Sequence, residues 1–376
     1  MSLLLALALV LAACSSDDSS SSDDGSSTTG SGSETSSDLE PISYPTVFLS
    51  PDGEQIEEYN YEGLPADEIT EEWNVCAPIV HLKDPYWLAL DYGLAQEAER
   101  TGTKLTVLAA GGYTELQNQI SQMDDCVAQG ADGIILGATS ADGVVAKAEE
   151  IVSQGIPVVG IGVPVFSDEV PVAFASFRVQ GRETANFMLE TRDPPEGPNK
   201  VLFLPGPEGA GWPEDSLKGF EETVEGENVE IVEVKYGDTA KDVQLSLIED
   251  GLQANPDIDY IVGNAVAATV APQALREAGL EDDVQVIATY ITPDVYESVV
   301  AGEVIGTVSD STAMTGRIGY DILLRMLEGE DWLAEHPSKD IGPVPFVVSP
   351  DTLDSFEQER ENSLPPDGYE PVFNVN

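Results

Sequence analysis

Residues 74–92 read NVCAPIVHLKDPYWLALDY. The first seven form a short apolar run suited to a buried strand, and Asp84-Pro85 then supplies a helix cap and a first helical residue. A strand that passes straight into a capped helix opens a strand-helix-strand crossover. The pattern recurs. KLTVLAA from Lys104, GIILGA from Gly133 and PVVGIG from Pro157 alternate with helical stretches over 86–100, 115–129 and 143–154. Each stretch runs into a glycine, at 102, 130 and 155, as helix C-termini favour. A break rich in Pro and Gly, TRDPPEGPNK from Thr191, ends this series, and VLFLPG, EIVEVKYG, YIVGNA and VQVIATY from 201, 230, 260 and 284 restart it. The fold predicted is α/β, with two doubly wound parallel-sheet lobes. VIGTVSD from Val304, a helical stretch over 312–328 and PVPFVVS from Pro343 exceed what a second lobe needs. The chain is therefore expected to cross back, joining the lobes by a multi-strand hinge.

The expected organisation is a signal over 1–14 and an acidic flexible tether with a lead-in segment over 15–72. A first lobe follows over 73–175 plus 307–335, then a second over 176–306 plus 336–353, and a tail over 354–376. The opening MSLLLALALVLAAC is too short for a bilayer span of about 20 apolar residues. Small residues before Cys14 resemble a lipoprotein signal, although no Lys or Arg precedes the apolar run; an ordinary signal peptide is the alternative. Residues 15 to 40 are mostly Ser, Asp and Gly, so a lipid on Cys14 would hold the domain off a membrane. The 69 acidic against 16 basic residues give a net charge of -53, which repels nucleic acid and predicts a need for salt. Cys76 and Cys126 fit either a bridge across a strand order 2-1-3 or two buried thiols.

Ligands of open α/β sheets bind beyond the carboxyl ends of the strands, so the residues at those positions are the candidate site. Tyr86, Trp87, Tyr113, Phe177, Trp212 and Tyr290 all stand there, in a chain whose aromatic content is 7%. Such faces around one cleft suit a cation, at about 0.5 to 2 kcal/mol per good contact, and equally suit simple packing. Trp87 shares a stripe with Leu90, Leu94 and Ala98, whereas Tyr86 lies off it and faces the cleft. Asp84 is a cap or, alternatively, an anionic wall. Asn264 and Asp310 also lie at strand ends. Catalysis finds little support: the two histidines, His81 and His336, lie far apart, and neither a metal site nor a cofactor is indicated. His81 reads as a solvated rim residue. GPEGAG over 206–211 lacks the Lys-Ser/Thr of a phosphate loop.

The lobe plan resembles the type I periplasmic binding proteins, the ribose-binding and LacI-like group. LKDPYWLALDYG, QEAERTGTKLTVLAAGGY, CVAQGADGIILG, LPGPEGAGW and VGNAVAA are similar to stretches of the TorT proteins, which bind trimethylamine N-oxide and present it to a membrane sensor kinase. The resemblance spans roughly 73–349. It implies that Tyr86, Trp87, Tyr113 and Tyr290 wall a cage for a methylated nitrogen, with Asp84 as a polar partner. Where that family has a cage tryptophan this chain offers Phe177, a weaker cation face, which leaves a betaine-like ligand open. The expected function is a lipid-anchored extracytoplasmic binding protein for a small molecule. Its partner is a sensor kinase or an ABC permease. Sugar binding is the rival ligand class, and a cleft hydrolase or an adhesin is the rival function.

Overall fold

The computed structural model describes residues 39–192 and 197–376. Cys14, the proposed signal and the tether up to residue 38 lie outside the described residues.

Two strands precede the first predicted one. β1 (Ser43–Leu49) and β2 (Gln55–Glu62) form an antiparallel hairpin. The crossovers follow: β3 (Asn74–Ile79), α1 (Pro85–Thr101), β4 (Lys104–Ala109), α2 (Leu116–Ala128), β5 (Gly133–Leu136), α3 (Val145–Ser153), β6 (Val158–Ile161) and β7 (Val172–Ala173). The second series is α4 (Phe177–Thr191), β8 (Asn199–Leu204), α5 (Trp212–Val224), β9 (Val229–Val234), α6 (Lys241–Ala254), β10 (Tyr260–Gly263), α7 (Ala265–Ala278), β11 (Gln285–Ala288) and α8 (Pro293–Val300). The chain then runs through β12 (Thr307–Ser309), α9 (Thr312–Leu327), α10 (Trp332–Glu335), β13 (Asp340–Pro343), β14 (Phe346–Val348), α11 (Leu353–Phe356), α12 (Arg360–Ser363) and β15 (Asn374–Val375).

The first lobe is built on a sheet ordered β15-β4-β3-β5-β6-β7-β13-β1-β2, and the second on β11-β10-β8-β9. The six strands from β4 to β13 run parallel, as do all four of the second sheet. Within the first sheet β4-β3-β5 gives the order 2-1-3, and Cys76 on β3 is bridged to Cys126 on α2 with Cα atoms 5.8 Å apart. β12 and β14 pair antiparallel between the lobes. The chain thus crosses at β7 to α4, β12 to α9 and β13 to β14.

These pairings redraw the division read from the sequence. Residues 43–62, placed in the lead-in segment, are two strands of the first sheet. Within 336–353, assigned to the second lobe, Asp340–Pro343 joins the first sheet. Thr307–Ser309, assigned to the first lobe, pairs instead with Phe346–Val348. From the tail, Asn374–Val375 pairs with Thr106 and Leu105 on β4. Buried polar bonds explain why the hairpin belongs to the lobe. Asp321 on α9 accepts from the Tyr61 hydroxyl at 2.7 Å and from the Leu64 N–H at 2.8 Å. Glu97 on α1, fully buried, lies 2.7 Å from Arg100 and 2.6 Å from Arg317, tying α1 to α9. A buried carboxylate left unpaired would cost several kcal/mol, so this triad fixes how the two helices meet.

Candidate functional site

Asp84 caps α1 as expected, its Oδ1 accepting from the N–H groups of Tyr86 at 3.1 Å and Trp87 at 3.3 Å. That cap orients the first turn, and both aromatics enter the cleft wall. Trp87 is fully buried and Tyr86 is 7% exposed. The two readings of Trp87 are both realised. Its benzo edge packs against Gly137, where a Cβ would come within 2.4 Å of the ring, and its Nε1 donates to the Tyr113 hydroxyl at 3.2 Å. The neighbouring Tyr86 hydroxyl donates to the Gly162 carbonyl at 2.8 Å.

The second lobe repeats the device. Trp212, the first residue of α5, lies against Gly206 just beyond β8, where a Cβ would come within 2.4 Å of the indole. An alanine at either strand end would evict a tryptophan. Ring centroids link the walls: Tyr86 to Trp87 at 5.7 Å, Tyr86 to Tyr290 at 5.5 Å, Trp212 to Tyr290 at 5.9 Å, Phe177 to Trp212 at 5.6 Å and Tyr113 to Trp212 at 6.4 Å. All six predicted aromatics therefore meet, with Asp84 and Val163, around one small cavity of about 10 Å³. Burial pushes the Tyr86, Tyr113 and Tyr290 phenols up, so the walls are uncharged.

Asn264 and Asp310 do not line this cage. The Asn264 side chain is committed to the backbone, accepting from Ala267 N–H at 3.0 Å and donating to the Leu204 carbonyl at 3.1 Å, which caps α7. Asp310 is buried with Oδ1 accepting from the Thr312 hydroxyl at 2.6 Å, and burial raises its pKa to about 6. The residue after it, Ser311, holds φ at 49° where the chain crosses lobes. His81 is not solvated: it is 4% exposed and edge-on to Tyr113, with Nε2 3.5 Å from Asp84 Oδ2. The first strand ends deeper in the cleft than a rim position implies. Burial lowers the His81 pKa and raises that of Asp84, so the two face each other as a pair that resists charging. In the 206–211 loop, the N–H groups of Gly209 and Gly211 donate to Glu214 at 2.7 and 3.1 Å, so those donors are already taken by a carboxylate.

Sequence reading missed Asp238 and Thr239. They follow β9, and the Thr239 hydroxyl reaches across the cleft to Asp84 Oδ2 at 3.4 Å. With His81, Lys83 and Tyr290 they border a second chamber of about 330 Å³ shared by both lobes. The only signal for them was their place after a strand.

A family profile described as periplasmic binding protein domain matches residues 79–331. Periplasmic protein TorT of Escherichia coli (strain K12) is 31% identical over 301 residues, covering 80% of this chain and 84% of that one. The ribose import binding protein RbsB of Salmonella typhimurium is 23% identical, covering 68% of this chain and 85% of that one. Among solved structures, an ABC transporter solute binding protein from Bradyrhizobium sp. BTAi1 with bound bis-tris aligns with a TM-score of 0.76 at 40% identity, covering 89% of this chain and 99% of that one. TorT in complex with the TorS sensor domain in the presence of TMAO aligns with a TM-score of 0.69 at 28% identity, covering 80% of this chain and 99% of that one.

Proposed function

The chain belongs to the type I periplasmic binding protein family as a TorT-like solute-binding protein, and from that premise we propose that its aromatic cage holds the methylated nitrogen of trimethylamine N-oxide or a related amine. The observation that carries the reading is the meeting of six rings from both lobes around Asp84. A methylated nitrogen offers no N–H to donate, so faces of π-electron density are its natural wall, and each good contact contributes about 0.5 to 2 kcal/mol. Closing the lobes assembles the box, since Tyr86, Trp87 and Tyr113 come from one side and Phe177, Trp212 and Tyr290 from the other.

Phe177 replaces one expected indole, yet Trp212 beside it keeps two in the cage. The Trp212 Nε1 is buried near the Tyr113 hydroxyl without completing a hydrogen bond among the described residues. An oxygen on the ligand would satisfy that donor, which favours an N-oxide over a bare alkylammonium. The molecule binds without turnover, and its output is a closed form read by a membrane sensor kinase, as in the TorT–TorS complex. An ABC importer is the second reading, favoured by the 40% identical transporter component. We also propose lipid attachment at Cys14, which a mass measurement of the mature N-terminal peptide tests.

A thermal-shift screen in molar salt decides the ligand class. Trimethylamine N-oxide, betaine or choline should raise the melting temperature, and ribose and galactose should not. Stabilisation by the sugars alone would replace the cage reading with the carbohydrate one.

A further inference from the structure

Both aromatic walls stand close to an anchor of one segment, the tail from Leu353 to Val375. On the second lobe, Phe356 of α11 and Leu364 after α12 are buried in one cluster with Ile291, the residue that follows cage Tyr290. The Phe356 ring lies 5.5 Å from that of Tyr296, whose hydroxyl donates to Glu357 and whose face takes the Arg360 guanidinium at 5.5 Å. On the first lobe, Asp91 stands one turn beyond Trp87 on α1 and is fully buried. Its Oδ2 accepts from the Tyr369 hydroxyl and the Val372 N–H, and its Oδ1 has no partner among the described residues. Among those residues, the tail therefore supplies every hydrogen bond that this carboxyl receives.

Between the two anchors the tail crosses the hinge. The Ser363 hydroxyl shares a hydrogen bond with that of Ser309 on β12 at 2.7 Å, both buried, and the chain then reads LPPDGYEPV over 364–372. Its three prolines fix φ, and a turn at Gly368 is closed by the Tyr369 N–H on the Pro366 carbonyl at 3.1 Å. The stretch is thus a spacer with little slack rather than a loose loop. Past it, the Tyr369 ring lies 5.2 Å from Tyr92, the Phe373 carbonyl accepts from Val107 N–H at 2.9 Å, and β15 joins β4. A segment bonded at both ends favours this arrangement of the lobes by whatever contacts it loses when they part.

We propose that the tail is a strap that couples the two lobes and favours the closed cleft, with Asp91 and Phe356 as its positioning residues. Neither lines the cage. Each acts through the aromatic wall beside it, Asp91 through α1 with Tyr86 and Trp87, and Phe356 through the stretch that leads from Tyr290 into α8. The strap adds a fourth link to the three crossings of the hinge. The inference rests on the cage reading above for the ligand whose affinity the strap governs.

A double-substitution cycle on the full chain in molar salt tests it, since cutting a strap at either end releases the same coupling. In calorimetric titration with trimethylamine N-oxide, Asp91→Ala and Phe356→Ala should each weaken binding about tenfold, and together about tenfold rather than about a hundredfold. Without ligand, the radius of gyration from small-angle scattering should rise in each single variant and no further in the double. Two local packing defects would add instead. Tyr369→Phe and Phe356→Leu repeat the cycle with smaller changes where an alanine variant does not fold. Unchanged affinity in the single variants, or effects that multiply in the double, overturns the strap and leaves the cage intact. If trimethylamine N-oxide does not bind the unaltered protein, the cage reading fails, and unchanged or additive radii overturn the strap by themselves.

Discussion

The cage and the chamber sit side by side in one cleft and share Asp84 and Tyr290, yet they differ in size and in the side chains that line them. The cage is apolar, nearly filled by its own rings and seated on two strand-end glycines. The chamber is roomy and is lined by helix starts and turns of both lobes that carry several charged side chains. On the function proposed above, the aromatic cage decides whether a methylated nitrogen is held, its rings parting to admit the methyl groups, and the chamber beside it gives room to the rest of a ligand. On that reading affinity and selectivity fall to largely separate residues, with Asp84 and Tyr290 common to both.

That separation is open to attack by substitution. Trp87→Ala should have the largest effect, abolishing measurable binding of every methylated amine. It should also lower stability by about 3 to 5 kcal/mol, because the ring fills core space against Gly137. A calorimetric titration and a denaturant melt check both, and retained binding would dissolve the comparison. Tyr290→Ala, on the wall common to both spaces, should weaken binding by about tenfold to a hundredfold, in keeping with the loss of one aromatic contact.

Asp310→Asn addresses stability rather than binding. The folded pKa of Asp310, about 6, lies above its ordinary value. The native state therefore holds its proton more tightly than the unfolded chain, and this group's contribution to stability falls as pH rises from about 4 to 6. The amide removes that penalty. The melting temperature at pH 7 should rise by the equivalent of at most roughly 3 kcal/mol, with less gain at pH 4. An unchanged difference across that range would show that burial is not what sets this carboxyl. The smallest effect belongs to Lys241→Ala at the chamber rim, where the exposed pair with Asp294 should contribute under about 1 kcal/mol.

The alternating core was legible in the sequence because each strand-helix unit is local: an apolar run, a cap, a glycine. The six cage aromatics were legible for the same reason, since strand ends in a parallel sheet share one edge. What escaped depends on distant pairing. QIEEYNYE of β2 is exposed at every position but Tyr61, and only its register against β1 makes it a strand. Asn264 stood at a strand end, but a helix cap claims its amide, a competition that spacing alone does not reveal. Asp238 and Thr239 become wall residues only when the second lobe faces the first. His81 looked solvated because nothing in the linear chain shows Tyr113 and Trp87 closing over it.

The short β15 has a consequence for the life of the molecule outside its binding cycle. Held by Asp91, which accepts from the Tyr369 hydroxyl and the Val372 N–H at 2.8 Å each, Asn374–Val375 occupies the margin of β4. Trimming those residues would bare a row of backbone donors and acceptors able to recruit a strand from another molecule. The segment therefore covers that edge, and a chain shortened to residue 372 should associate more readily than the full chain at high salt, which size-exclusion chromatography checks.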